Sequence, residues 1–156
     1  MSKLKDEVGL LRSVPMFANV MPTKLKLLAF ASDRMTYTDG QNIVRQGDPS
    51  DAAYVIIDGV ADVLVSSRDG SENVVAQLGR NAMLGDMGIL AEIPRTATVR
   101  AKGDVEALKI RKDHLMEMVM DSPVLASEVL KSLVDRLAKT TRDLADCKDE
   151  LKRING

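Results

Sequence analysis

Leu84-Gly85-Asp86-Met87-Gly88-Ile89-Leu90-Ala91-Glu92-Ile93-Pro94-Arg95-Thr96-Ala97-Thr98-Val99 is the stretch around which the rest of the chain is organised. Two glycines bracket Asp86, and Ile89-Leu90-Ala91 follows as a short apolar turn at helical spacing. Pro94-Arg95-Thr96 then makes a corner into an alternating strand that begins at Thr96. Gly85 and Gly88 carry no Cβ, so backbone there can approach a ligand closely. A short helix opening at such a loop turns unpaired N–H groups outward, which suits a phosphate. Arg95 adds a rigid fork of donors that matches two phosphate oxygens. An ionised Asp86 only accepts hydrogen bonds and suits a ribose hydroxyl better than a phosphate. Cradle, arginine and carboxylate together describe a pocket for a sugar phosphate. Met83 and Met87 stand beside it, as lining or as core filling.

Outward from this stretch, residues 34 to 110 follow a period of two. Turn signals come in quick succession: Asp39-Gly40, Gly47-Asp48, Asp58-Gly59 and Asp69-Gly70. Between them lie short runs, Ala53 to Ile57, Val60 to Ser66 and Asn73 to Leu78, and this rhythm predicts hairpins stacked in a sandwich or barrel. Asp58-Gly59, between two β-branched runs, is the best tight-hairpin signal. Two last strands are expected at Thr96 to Lys102 and Val105 to Ile110. A loop carrying its own helix inside a small β domain points to binding.

Helices flank this β region. Residues 3 to 12 form an amphipathic helix with Leu4, Val8 and Leu11 on one side. Val14-Pro15-Met16-Phe17 interrupts it, and Pro22 starts a second helix turning Leu25, Leu28, Ala29 and Phe30 inward. After His114 to Met120, Ser122 and Pro123 supply the N-cap and first position of a longer helix. That helix has no Gly or Pro from Val124 to Asn155 and would run roughly 45–50 Å. Leu130, Leu133, Leu137, Thr140, Leu144, Cys147, Leu151 and Ile154 alternate by three and four, a heptad seam. With Leu130 at a, Asp143 at g and Lys148 at the following e meet with opposite charge across a parallel pair. A dimer through residues 130–154 is expected, because the pattern continues past any plausible sheet surface.

Composition narrows the function. The 156 residues suit one domain, and 22 basic against 23 acidic side chains leave a net charge of −1. Nucleic-acid binders carry a basic excess or stripe, and none is evident. One cysteine and one histidine exclude a disulfide framework and a His or Cys metal cluster. No apolar run reaches the ~18 residues of a membrane span, and residues 1–14 lack a signal-peptide apolar stretch. A cytoplasmic protein is expected. No nucleophile–base pair or carboxylate pair in a cleft can be argued, so the chain reads as a non-enzyme without a cofactor. His114 and Cys147 read as structural.

Gly85-Asp86-Met87-Gly88-Ile89, followed by Arg95-Thr96-Ala97-Thr98-Val99, resembles the phosphate-binding cassette of cyclic nucleotide-binding domains. The family pattern is Gly-Glu, a hydrophobic residue, Ala or Gly, Leu, a spacer, then Arg-Ser/Thr-Ala, one residue and Val. This chain departs from it with Ile89 for Leu and Asp86 for Glu, a carboxylate one methylene shorter. Val99-Arg100-Ala101-Lys102 is similar to the strand after the cassette. Pro123, Leu133, Arg136-Leu137 and Thr140-Thr141 fall in the order of the long helix in the catabolite-activator branch. The resemblance implies an α+β, mainly β fold: a double-stranded β-helix (jelly-roll) sandwich over residues 34–111, with the cassette at 84–99. An N-terminal helical segment, 1–33, and C-terminal helices, 112–156, flank it.

The same resemblance implies a cyclic nucleotide ligand held by Gly85, Asp86, Met87, Gly88, Arg95, Thr96 and Ala97, with Arg136 of the long helix also at the site. Thr140 would meet the base of its own subunit and Thr141 the base held by the partner. Thr140-Thr141 favours cAMP over cGMP, while Thr96 suits either a phosphate oxygen or a guanine amine. Asp86 keeps two other roles open: an N-cap for the following turn, or an ion pair with Arg136 that couples pocket to seam. The expected function is a cyclic nucleotide sensor signalling through the helices of a homodimer to a downstream protein, with no DNA-binding segment before Gly156. Its rivals are an adaptor dimer with a degenerate pocket, a binder of another ligand such as a cyclic dinucleotide, and a cupin-like enzyme. The lone histidine argues against the last.

Overall fold

The computed structural model describes residues 2–155, with the side chains of residues 2–5, Met87 and Asn155 outside the description. The inward placement of Leu4 and the ligand role of the Met87 side chain therefore lie outside the described residues. Helix α1 spans Ser2–Ser13, a 3-10 turn covers Pro15–Phe17, and α2 spans Pro22–Ala31. The strands are β1 Asp33–Tyr37, β2 Asn42–Val44, β3 Ala52–Ser66, β4 Glu72–Leu78 and β5 Met83–Leu84. Helix α3, Asp86–Ala91, precedes β6, Thr98–Arg111. Helices α4, Lys112–Asp121, and α5, Pro123–Asn155, complete the order.

All six strands are antiparallel in the order β1-β6-β3-β4, with β2 against β6 and β5 against β3. This is the jelly-roll that the family resemblance implies, one form of the sandwich or barrel expected from the alternating pattern, and alternation explains its two cores. Tyr54 and Ile56 of β3, with Val105 and Ala107 of β6, point into the roll beside Tyr37, Ile43 and Val99. Ala53 and Val55, with Leu108 and Ile110, point the other way onto Leu11, Phe17, Leu25, Leu115 and Leu125 of the helices. Successive strand residues thus feed opposite cores. Burial beside Tyr54 pushes the Tyr37 phenol above the ordinary tyrosine range. Ile89 of α3, fully buried, enters the helix-covered core and roots the cassette there.

Three expectations are corrected. Asp58-Gly59 is not a hairpin: β3 runs through it unbroken against β6, and the register shifts on either side of Asp58. Gly59 has φ +97, and the inward residues change from even positions (Ala52, Tyr54, Ile56) to an odd one (Ala61) across it. An inserted residue that bends a strand and exchanges its faces is a β-bulge. The two last strands are likewise one, continuous through Gly103 at φ +78, and it begins at Thr98 rather than Thr96. Phe30 faces outward, 83% exposed, because Leu25, Leu28 and Ala29 already cover the sheet side of α2.

Ser122 caps α5 as expected: its Oγ accepts the Leu125 N–H at 3.2 Å, with Pro123 at the first helical position. The first part of α5 is anchored by buried Leu125 and Val129, with Leu133 packed against the same core. Among the described residues no helix is long and apolar enough to cross a membrane.

Gly59 and Gly70 separate two costs of a side chain. Both sit in the left-handed region, but a Cβ at Gly70 meets open space, whereas one at Gly59 overlaps the Asp104 carbonyl and stands 3.0 Å from Val105 Cα. Gly70→Ala is expected to cost about 1–2 kcal/mol, the left-handed penalty alone. Gly59→Ala adds a clash against backbone and is expected to cost clearly more. Urea unfolding of the two variants measures the difference, and equal costs would contradict the bulge geometry.

Candidate ligand site

Gly85 adopts the left-handed conformation at the N-cap of α3, with φ 85, and Asp86 is the first helical residue. Asp86 is therefore not the N-cap, and no side chain caps this helix. Its carboxylate turns toward α5 and accepts a hydrogen bond from Arg136 Nη2 at 2.9 Å. The Asp86 side chain is 4% exposed and that of Arg136 36%, so a buried carboxylate is met by a partly solvated guanidinium. This is the ion pair that the sequence left open as one role of Asp86. It joins the cassette to the last stretch of α5 that touches the domain.

Arg95 is buried, and its guanidinium lies across the mouth of the cassette. Nη1 donates to the Gly85 carbonyl at 3.3 Å, and Nη2 donates to the Ala52 carbonyl at 2.6 Å and to Asp51 Oδ1 at 3.4 Å. An arginine has five N–H donors, so these three contacts leave two without a partner among the described residues. Asp51 is itself largely exposed, a weak counter-ion in water's reach. The glycine at 85 has two causes: its positive φ, and the nearness of Arg95, whose Nη1 an added Cβ would overlap.

A cavity of about 270 Å³ opens beside these groups. Gly85, Asp86, Gly88, Arg95, Thr96, Ala97 and Arg136 all line it, so the structure brings together seven of the expected site residues. Apart from Ser50, its other walls are apolar, among them Val44, Val63, Leu78 and Met83. Met83 thus lines the cavity while also packing on the helical core. Thr140 and Thr141 are not part of the lining. Both are exposed, and their hydroxyls donate back to the Arg136 and Leu137 carbonyls at 2.9 Å.

The sequence reading missed the loop between β2 and β3. Gly47 N–H donates to the Arg95 carbonyl, and Arg95 N–H to the Asp48 carbonyl, each at 2.8 Å. Ser50 Oγ donates to the Ile93 carbonyl at 2.8 Å. Asp51 and the Ala52 carbonyl hold the guanidinium. Half of the Arg95 setting therefore comes from residues about 45 positions earlier. Gly47-Asp48 reads only as a turn signal in the sequence, and no period marks a loop whose partner is another loop.

Comparison with known proteins follows the same outline. Residues 34–122 match the family model described as the cyclic nucleotide-binding domain. A CRP-like cAMP-activated global transcriptional regulator of Mycobacterium tuberculosis is 28% identical over 141 residues, covering 90% of this chain and 62% of that protein. A cAMP-dependent protein kinase regulatory subunit of Blastocladiella emersonii is 32% identical over 133 residues, covering 85% of this chain and 30% of that one. The chain thus spans about three-fifths of the first relative's length and under a third of the second's. Among solved structures, the catabolite activator protein of Thermus thermophilus superposes with a TM-score of 0.76 at 27% identity, over 83% of this chain and 61% of that one. The sensor domain of the regulator DNR from Pseudomonas aeruginosa gives 0.82 at 22% identity, over 91% and 95%, a likeness of fold. With the match running from β1 to the end of α4 and the arginine-bearing cassette at its centre, this chain belongs to the cyclic nucleotide-binding domain family.

Proposed function

We propose that this chain is a cyclic nucleotide sensor that favours cAMP over cGMP and signals through the C-terminal helices of a homodimer. The observation carrying this reading is that one cavity has Arg95 on one wall and the Asp86–Arg136 pair on another. A ring phosphate at Arg95 takes up the two free donors and lies against the cassette that holds Asp86. The ligand then interacts unequally with two settings of α5, which is the condition for a shift in population. Relatives named for cAMP support the ligand, and Thr140-Thr141 supports the base preference by resemblance. In a dimer those threonines face the base from both subunits. Output passes to another protein in the cytoplasm, with neither nucleic acid nor membrane engaged.

The seam supports the homodimer. Leu130, Leu137, Leu144, Leu151 and Ile154 are all more than half exposed on α5, at heptad spacing. Five such side chains along one stripe form an apolar surface that a second copy covers in register. A second reading has its own observation: Arg95 and Asp86 already have protein partners, as they would in an adaptor dimer whose pocket binds nothing. Ligand titration separates the two, and a panel that includes cyclic dinucleotides tests the remaining ligand class.

Titration calorimetry is expected to show micromolar binding of cAMP, weaker binding of cGMP and none of a cyclic dinucleotide. Arg95→Ala removes the charged partner of the phosphate, a loss of roughly 2–5 kcal/mol or about thirty- to several-thousand-fold in affinity. Unchanged binding by that variant refutes the assignment of Arg95. No binding by the parent chain favours the adaptor.

The Asp86–Arg136 pair is expected to couple the cassette to α5 with an interaction energy of about 0.5–3 kcal/mol, the range for contacting residues. A double-mutant cycle of Asp86→Asn and Arg136→Gln, read by urea unfolding without nucleotide, measures it. Strict additivity would remove the link on which the switch depends.

Cys147, exposed at a d position, reports the strand arrangement. In a parallel, in-register pair it faces its own counterpart within disulfide reach. Mild oxidation is expected to give a covalent dimer on a non-reducing gel, and Leu144→Asp to abolish it. Noncovalent dimers that resist crosslinking would point to an antiparallel pairing instead.

A further inference from the structure

Gly88 presents a question that its backbone does not answer. It lies inside α3 with an ordinary negative φ, so no left-handed conformation demands glycine there. Glycine within a helix costs about 1 kcal/mol relative to alanine. The reason is space. A Cβ on residue 88 would overlap Ser50 Oγ, stand 2.9 Å from Ser50 Cβ and 3.3 Å from the Ile93 carbonyl oxygen. Ser50 occupies the volume that a side chain at 88 would fill.

Ser50 also ties the cassette to itself. Its hydroxyl donates to the Ile93 carbonyl at 2.8 Å, and the Ile93 N–H donates to the Gly88 carbonyl at 3.0 Å. The turn that leaves α3 is thereby closed around one serine. On either side of Ser50, residues 47, 48, 51 and 52 hold the backbone and guanidinium of Arg95. A displacement of Ser50 therefore moves both the cassette turn and the arginine, and Ser50 lies with them on the wall of the 270 Å³ cavity.

We propose that Ser50 is a ligand-positioning residue of this cavity, spacing the turn at Gly88 from the Arg95 guanidinium and so fixing how closely a ring phosphate is held. This rests on the reading of the cavity as a cyclic nucleotide site. The role requires no direct bond between Ser50 and ligand. It makes positions 50 and 88 a pair, in which a larger residue at one needs a smaller residue at the other.

Four variants test the pairing: Gly88→Ala, Ser50→Gly, the two combined, and Ser50→Ala. Each is titrated with cAMP by calorimetry and unfolded in urea without nucleotide. Gly88→Ala is expected to weaken cAMP binding well beyond tenfold, and Ser50→Gly in the same chain to bring it back to about the affinity of Ser50→Ala, which lacks the same bond to Ile93. Ser50→Ala keeps the volume of a Cβ but loses the bond to Ile93, and is expected to weaken binding about two- to tenfold, the worth of one hydrogen bond. Parent-like affinity in Gly88→Ala, no recovery in the double variant, or changes in urea midpoint with affinities unmoved would each overturn the role of Ser50 alone. Absence of cAMP binding by the parent chain would overturn the cyclic nucleotide reading and this role with it. Should Gly88→Ala fail to fold, recovery in the double variant against Ser50→Gly, with the affinity of Ser50→Ala, still decides the question.

Discussion

A buried guanidinium must have its donors satisfied, and the setting of Arg95 is the constraint from which the architecture around the cavity follows. A cation out of water is tolerated only where oxygens surround it. Here they come from two segments far apart in sequence, the carbonyl of Gly85 and the carbonyl of Ala52 with the carboxylate of Asp51. The first segment is left-handed at Gly85 so that its carbonyl can turn inward. The second is the start of β3, held by its pairing with the end of β6. Cassette and roll therefore meet at the arginine, and the cavity is the space that remains beside it. The carbonyls are dipoles rather than full charges, and Asp51, the carboxylate at the guanidinium among the described residues, is solvated. The phosphate of the proposed ligand would thus meet a cation whose charge is not neutralised.

The same logic explains Asp86. A carboxylate nearly removed from solvent needs a donor, and Arg136 supplies it from a helix that begins thirteen residues earlier at Pro123. In a cassette with glutamate the carboxylate extends one methylene further. With aspartate the shorter reach goes to α5, so the cassette depends on where that helix lies. Ion pairs with one partner solvated contribute modestly to stability, but this one fixes a register between two elements.

How much of this was legible in the sequence depends on the kind of signal. Arg95 and the two glycines were visible because short-range chemistry fixes their spacing. Ser122-Pro123 marked the start of α5 for the same reason. The alternating pattern showed the roll, yet it misread Asp58-Gly59, because a bulge and a tight hairpin call for the same residues. Only the pairing of β3 with β6 on both sides of Gly59 tells them apart. The hydrophobicity of Phe30 points it inward, but three neighbours already fill the covered side of α2. Ser50 left no trace, because its meaning lies in an absent atom at position 88.

Helix α5 then has two loyalties that differ in physical kind. Its first turns are held by apolar burial at Leu125 and Val129, an attachment with little directional preference. Arg136 adds a contact of definite geometry at the point where the helix leaves the domain. Beyond it the apolar stripe from Leu137 to Ile154 is exposed, the surface on which the proposed homodimer would form. A change of a few degrees at Arg136 is carried along some eighteen residues, about 27 Å of rigid helix, to the far end of the stripe. Heptad packing accepts such displacements only in discrete settings, since each side chain must fit a hole in the facing helix. In the homodimer proposed above, a small event beside Asp86 would thereby become a choice between arrangements of two long helices, with the ion pair as the point of transfer.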